Sequence, residues 1–277
     1  MTKFTLKFLV FLVVLATVPL MATGPRISAH LIPTNKNEIF ALDMPPFIST
    51  EVNRGGMLSE IVTVAFSEEK KEVAITIVPL RSMIKYYIVQ ENALAVMGRH
   101  VVLEKEYKTT FVSFPLYLAS ESYVYYKPLN ENKIHYNGKL SSLQGLTYGA
   151  SSGEDVKAYK KESIKVKQSR ALSMFKKLKK GSVDFISLPK ESVKWFLNEK
   201  FSDDKKDFTF IDGSDKLNPI KIYFNLSNAK GKELAAAFKK GFRKITKNGK
   251  YISILEKYEK NPSKVKFQLN YIDKSLK

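Results

Sequence analysis

Six basic or acidic side chains lie between two apolar runs in the segment from residue 98 to residue 117, and four of them are candidates for ligand contact. Arg99 and His100 come directly after Gly98, and Lys105 and Glu106 follow a few residues later. The flanking runs are rich in Val, Met, Phe and Leu, which is typical of buried strands. Charged side chains in a loop between two such strands predict a site for a polar or ionic ligand. Because His100 alternates with apolar residues, a hydrogen-bonded structural histidine is the alternative interpretation.

Three other loops of rigid, small or polar residues also follow apolar runs. They cover residues 43–47, 150–153 and 187–189. In open parallel sheets, ligands bind outside the carboxyl ends of the strands, so all four loops are expected to share one binding surface. The predicted ligand contacts are Asp43, Met44, Phe47, Arg81, Gly98, Arg99, His100, Lys105, Glu106, Ser113, Ser151, Ser152, Gly153 and Ser187.

Two of these contacts have specific expected roles. Ser152 and Gly153 are predicted at the N-terminus of a helix, where a hydroxyl and backbone N–H groups can bind an anionic or carbonyl oxygen. Arg81 lies near the end of a predicted strand, and capping a helix is its alternative role.

The elements that would position these loops form a β-loop-α-β-α-β order that occurs twice. The first set has strands at 38–42, 73–78 and 93–97, with 73–78 buried on both faces, and helices at 57–65 and 82–90. The second set has strands at 146–149, 163–166 and 183–187, a helix with Ser169 as N-cap and Gly181 as its stop, and a helix after Pro189. Extended stretches at 111–126 and 219–226 flank the second set, and a helical region at 231–258 is interrupted at 248–249. The pattern predicts an α/β fold with mainly parallel sheets flanked by helices.

Residues 1–24 have the features of a secretory signal peptide. Lys3 and Lys7 precede an apolar stretch at 8–20, and Ala22 and Gly24 are small residues at a cleavage site. The chain has no cysteine, and its formal charge of +19 falls to +17 without Lys3 and Lys7. The lysines are scattered among acidic residues, which indicates a solvated surface and no nucleic-acid site. We therefore expect an exported, periplasmic monomer.

Several classes of chemistry lack the residues that they need. Three histidines and no cysteine disfavour a zinc or copper site, and no nucleotide-binding or hydrolase motif occurs. The acidic pairs at 203–204 and 212–215 lack the ligand spacing of a calcium loop and are predicted to be turns. No cofactor or metal is expected.

A series of short motifs between residues 38 and 258 resembles bacterial extracellular solute-binding proteins of family 3. In chain order they are PPF at 45–47, Gly55-Gly56, Val78-Pro79 with Arg81, Gly98, Ser113-x-Pro115, Leu143-x-Gly145, Gly181-x-Val183-Asp184, and Gly249. The resemblance implies the two-lobed type II periplasmic-binding fold, with residues 36–119 and 219–277 in one lobe, 120–218 in the other, and two hinge strands. It also implies a small-molecule ligand in the interlobe cleft and either an ABC permease or a membrane receptor as partner.

The residues that clamp an amino acid in that family are altered here. The family's carboxylate-binding arginine stands seven residues before the serine of the S-x-P motif, which is Glu106 in this chain; counting from Gly98 gives Lys105 instead. The family's amino-binding aspartate falls on Pro189. The resemblance therefore implies a polar or anionic ligand that is not held by the usual clamp. The alternatives are a sensory or interaction protein that kept the fold, and an enzyme with Glu106 as its acid.

Overall fold

The structure is a computed structural model that describes residues 37–90, 92–98, 107, 109–152 and 154–276. Its strands are β1 (Asn37–Ala41), β2 (Val73–Ile77), β3 (Ala95–Gly98), β4 (Phe111–Tyr126), β5 (Thr147–Ser151), β6 (Lys165–Ser169), β7 (Phe185–Pro189), β8 (Phe208–Phe210) and β9 (Lys216–Asn225). Among the described residues these strands form one mixed sheet in the order β2-β1-β3-β9-β4-β7-β5-β6, and β8 pairs with β4.

Helices cover the faces of this sheet. They are α1 (Met57–Ser67), α2 (Leu80–Ser82), which continues as a π-helix over Met83–Ile88, α3 (Lys127–Asn130), α4 (Lys157–Lys161), α5 (Ala171–Lys179), α6 (Lys190–Lys200), α7 (Ala229–Lys247), α8 (Lys250–Tyr258) and α9 (Pro262–Ser275). Short 3-10 helices cover Asn53–Gly55, Leu140–Leu143 and Ser202–Asp207. None of the helices in the described part of the chain has the length and apolar character needed to cross a membrane.

The buried apolar side chains form separate cores in two parts of the molecule. We call the part built on β1, β2, β3, α1, α7, α8 and α9 the first lobe, because the apolar side chains of these elements belong to one buried cluster or pack against it. We call the part built on β5, β6, β7, α5 and α6 the second lobe, whose buried side chains form two further clusters. Along β4, Ala119 belongs to the first-lobe core and Tyr123 to a second-lobe core. The predicted lobe boundaries at 119/120 and 218/219 stay a prediction.

The long strands β4 and β9 join the lobes. They pair antiparallel from Phe111 opposite Asn225 to Glu121 opposite Lys216. Midway, the backbone N–H and C=O of Leu118 bond to the side-chain amide of Gln268 on α9, at 2.9 and 2.8 Å. Because Gln268 is buried, these bonds replace a neighbouring strand where β4 has none.

The structure agrees with the sequence for most elements and corrects three. The extended stretch at 111–126, the helix break at 248–249 and the helix stop at Gly181 are confirmed. The strand at 73–78 is not buried on both faces, because β2 is the edge strand and all its residues are partly exposed. Ser169 ends β6 and does not cap a helix, since α5 begins at Ala171 with Arg170 as its N-cap.

The third correction concerns the loop after β5. A helix was expected directly after Gly153, but α4 begins at Lys157 and has five residues. The intervening backbone is held by Glu154, whose N–H donates to the carbonyl of Ser151 at 3.0 Å. The loop therefore closes on itself before any helix starts.

Replacing Gln268 with Ala should destabilise the protein by about 3 kcal/mol, because the N–H and C=O of Leu118 would be left buried without partners. Denaturant unfolding measures this. Gln144→Ala, at an exposed position, is the matched control and should change the free energy of unfolding by less than about 0.5 kcal/mol. Equal effects of the two substitutions would show that the Gln268 amide does not support β4.

Candidate functional site

The strand pairing directs the carboxyl end of β3 in the first lobe and the carboxyl end of β7 in the second lobe toward one short stretch of β4. Gly98, the last residue of β3, and Pro115 of β4 both pair with Lys221 of β9. Pro189, the last residue of β7, pairs with Glu121 of β4, and β7 runs opposite to β4. The strand ends therefore face each other across residues 115–121, a span of about 20 Å. Ligands of open α/β sheets bind at such strand ends.

The first lobe supplies the loop after β1 to this region. Met44 and Ile48 form a bridge that closes the loop, with the N–H of Met44 donating to the carbonyl of Ile48 at 2.7 Å. Asp43 is exposed and Met44 is half-buried. Phe47 is 0% exposed and packs on the Tyr117 ring at 5.2 Å, so its side chain belongs to the core and is not accessible to a ligand.

The other first-lobe residues lie at the same edge or in the strand beside it. Gly98 is buried and has φ of 142°, a backbone conformation that favours glycine. Arg81 is exposed on α2, beyond the carboxyl end of the outer strand β2. Ser113 is half-buried in β4 and pairs with Tyr223, two residues before Pro115. Arg99, His100, Lys105 and Glu106 lie outside the described residues, as does Gly153.

In the second lobe, the end of β5 is occupied by a carboxylate of the chain itself. Glu154 accepts a hydrogen bond from the N–H of Ser151 at 2.9 Å and another from the Tyr148 hydroxyl at 2.8 Å. The N–H of Ser152 donates to the carbonyl of Ser169 at 3.2 Å. The backbone donors of Ser151 and Ser152 are thus already used. Ser187 is half-buried in β7, paired with Tyr123.

Tyrosine side chains fix Glu154 from inside the lobe. The Tyr148 ring stacks on Tyr159 with centroids 4.0 Å apart, and the hydroxyls of Tyr159 and Tyr123 are 3.3 Å apart. Burial, and then the charge of Glu154, raises the pKa of Tyr148 well above its usual value. Burial and the neighbouring Tyr159 likewise raise the pKa of Tyr123. These phenols therefore stay neutral hydrogen-bond donors.

A second carboxylate lies at the end of β7. Glu191, in the first turn of α6, accepts a hydrogen bond from the Tyr117 hydroxyl of β4 at 3.4 Å, and Lys264 of α9 lies 3.6 Å away. The other oxygen of Glu191, Oε2, is buried and has no hydrogen-bond partner among the described residues. Burial and the Glu191 charge raise the pKa of Tyr117, so Tyr117 remains a donor.

Helix α6 runs along the boundary between the lobes. Its first turn contacts Tyr117 through Glu191, and its last residue, Lys200, forms an ion pair with Glu51 of the first lobe at 2.7 Å. Both partners of this pair are partly exposed, so the pair contributes roughly 0–1 kcal/mol.

Sequence reasoning missed Glu154 and Glu191. Glu154 follows the predicted small-residue loop directly, and Glu191 stands two residues after Pro189. A search for acidic residues within two or three positions of each strand end would have found both. Their hydrogen-bond partners are distant in sequence or lie in another strand, and only the fold reveals those.

No protein-family model and no curated protein matches this sequence. Solved structures do match. A mutant of the arginine-binding protein ArgBP from T. maritima has 19% identity and a TM-score of 0.63, over 80% of this chain and 95% of that one. An arginine 3rd transport system periplasmic binding protein from Legionella pneumophila has 14% identity and a TM-score of 0.63, over 82% and 100%. A histidine kinase sensor domain with similarity to periplasmic binding proteins has 13% identity and a TM-score of 0.65, over 81% and 96%. The chain therefore has the periplasmic-binding-protein type II fold, and these structural neighbours are binding or sensor proteins.

The buried tyrosines predict a loss of stability in alkali. A phenol whose pKa is raised by folding stabilises the protein below the unfolded pKa of about 10, and this contribution disappears as the pH rises above that value. The free energy of unfolding should therefore begin to fall at about pH 10 and continue to fall as the pH rises further, as measured by denaturant titration. In Tyr148→Phe the slope should be smaller by up to about 1.4 kcal/mol per pH unit. An unchanged slope would mean that Tyr148 does not resist ionisation.

Proposed function

We propose that this protein is a solute-binding protein that holds a small polar molecule in the cleft between its lobes. The observation that carries the proposal is the register of the sheet, which directs the carboxyl ends of β3 and β7 toward residues 115–121 of β4. Ligands of open α/β sheets bind at such ends. The match to solved periplasmic binding proteins supports the same conclusion.

We propose further that the ligand presents a hydrogen-bond donor or a positive charge to the second lobe. Glu154 already occupies the N–H of Ser151, which leaves no free donor there for a ligand carboxylate. Glu191 offers the buried oxygen Oε2, which lacks a partner within the described residues. A buried acceptor without a partner is costly, and we propose that a side-chain rotation of Glu191 presents this oxygen to a donor on the ligand. This favours a polar or cationic molecule over the anionic one that the sequence left open.

On the first-lobe side, the proposed contacts are Asp43, Met44, Arg81, Gly98 and Ser113. Met44 is half-buried and has a flexible thioether that adapts to different apolar groups. Ser151, Ser152 and Ser187 remain proposed contacts on the other side. Arg99, His100, Lys105, Glu106 and Gly153, which lie outside the described residues, remain predictions from the sequence alone.

The proposed setting is a bacterial periplasm, reached through the signal peptide at 1–24. There the protein would act as a monomer, bind its solute without covalent chemistry or cofactor, and deliver it to an ABC permease. The names of the matched transport and binding proteins support this setting.

A sensory role is the second candidate, because one of the matched structures is a histidine kinase sensor domain. In that case the protein with its solute bound would contact a membrane receptor and would not contact a permease. Affinity capture from the native periplasm and membrane, with the tagged full chain, separates the two roles. The enzyme alternative depends on Glu106 and predicts that Glu106→Gln abolishes turnover; the matched structures are binding proteins and do not favour it.

A ligand screen by thermal shift tests the proposal, with amines, amino acids, peptides, sugars and organic acids as separate classes. A ligand at about 100 times its Kd should raise the Tm by about 5–10 °C. Glu191→Gln should weaken its binding about tenfold to a hundredfold, as measured by calorimetry, because a charge-assisted hydrogen bond is lost.

Glu162→Gln is the matched control, since it makes the same substitution at a partly exposed residue of the second lobe away from the proposed cleft, and it should leave the affinity unchanged. Stabilisation by organic acids alone would contradict the proposed ligand class but keep the solute-binding role. No stabilisation by any class would contradict both.

A further inference from the structure

One face of α7 carries a row of cationic side chains outside the proposed cleft. They surround a hollow of about 410 Å³ lined by Ala236, Lys239, Lys240, Arg243, Lys244 and Lys247. We call these five cations the α7 basic stripe. Their spacing of three and four residues places them on one side of the helix, and all five are exposed.

The opposite face of α7 holds the helix rigidly on the first lobe. Phe238 and Phe242 are buried and stack with centroids 5.1 Å apart. At Gly241 the helix lies so close to α1 that a Cβ atom would be 1.9 Å from the carbonyl oxygen of Ala65. The stripe is therefore presented by a helix of 19 residues whose position is fixed by packing.

Few carboxylates neutralise the stripe. Glu69 of α1 pairs with both Lys240, at 2.8 Å, and Lys244, at 2.7 Å. Arg243 donates a hydrogen bond to the backbone carbonyl of Leu276, which carries no charge. Within the part of the chain that the structure describes, Lys239 and Lys247 have no carboxylate partner. Five cations thus share one carboxylate, and the stripe has an excess of positive charge.

We propose that the α7 basic stripe binds the surface of an anionic lipid bilayer. Four of its five cations are lysines, whose long flexible stems match a diffuse layer of anionic headgroups. A specific protein interface would need aromatic or apolar anchors, and single-stranded nucleic acid would need aromatic rings for base stacking. Ala236 is the sole side chain without charge in the hollow. The inference is independent of the proposed solute, because no residue of the stripe belongs to the proposed cleft.

Co-sedimentation of the full chain with vesicles tests this proposal. Vesicles of phosphatidylcholine with a minority of phosphatidylglycerol should bind the protein more strongly than pure phosphatidylcholine vesicles. Any contribution from the apolar stretch at 8–20 is common to both vesicle types and to all variants. Raising the ionic strength from about 0.1 M to about 1 M should abolish the difference, because the Debye length shortens from about 10 Å to about 3 Å.

The double substitution K239Q/K247Q should weaken binding to the anionic vesicles by about thirtyfold, since each lysine near such a surface contributes about fivefold. K176Q/K180Q, at the C-terminal end of α5 and the residue that follows it in the second lobe, removes the same charge from exposed positions and should change the binding less than about threefold. Thermal unfolding checks that both variants are folded.

Three outcomes would overturn the proposal: equal binding to neutral and anionic vesicles, equal weakening by the two double substitutions, or no vesicle binding at all. If the wild-type protein does not co-sediment with vesicles but binds polyglutamate through Lys239 and Lys247, the stripe binds an acidic protein partner and the lipid proposal is wrong.

Discussion

The antiparallel ladder between β4 and β9 is the constraint on which the rest of the architecture depends. β4 contributes buried side chains to both lobes. Its pairing with β9, which has one irregularity between Pro115 and Tyr117, and with β7 fixes where β3 ends in one lobe and where β7 ends in the other. Gln268 supports the part of β4 that has no second neighbouring strand. In the proposed solute-binding role, this ladder is the segment about which one lobe would turn relative to the other.

Carboxylates define the second-lobe side of the proposed cleft. Glu154 and Glu191 lie at the ends of β5 and β7, and each accepts a hydrogen bond from a tyrosine whose pKa is raised by burial. The cations of the α7 basic stripe, in contrast, stand on a packed helix of the first lobe. The net charge of +19 is a total over the whole chain and does not show that the two regions carry opposite charges. Two partly buried carboxylates therefore lie at the second-lobe strand ends where the sequence predicted contacts for a polar or anionic ligand, although the chain as a whole is basic.

The sequence predicts much of the fold because local signals and tertiary structure agree there. The run at 111–126, the break at Asn248-Gly249 and the stop at Gly181 depend on residue type and backbone geometry alone. The elements that the sequence predicts wrongly are those whose position is decided by the neighbouring strands of the sheet. β2 has the composition of a buried strand but lies at the edge of the sheet. Ser169 is the last residue of β6 because it pairs with Ser151 of β5. At the site, small residues near strand ends were predictable. Two contacts were not predictable: the packing of the Phe47 ring on Tyr117, and the hydrogen bond from the Ser151 N–H to Glu154. Both depend on tertiary packing or loop geometry that periodicity does not encode.

The proposed solute-binding role implies that the lobes move about the β4–β9 ladder when a solute binds, and a distance across the ladder tests this most directly. Because the chain has no cysteine, Ser67→Cys and Ser173→Cys would introduce its sole thiols, one in each lobe, for spin labels. Ser67→Cys with Ser275→Cys gives a control pair within the first lobe. When a compound that raises the Tm is added to saturation, the account predicts that the interlobe distance distribution shifts and narrows while the control distribution stays the same. An interlobe distribution that is unchanged at saturation would contradict it.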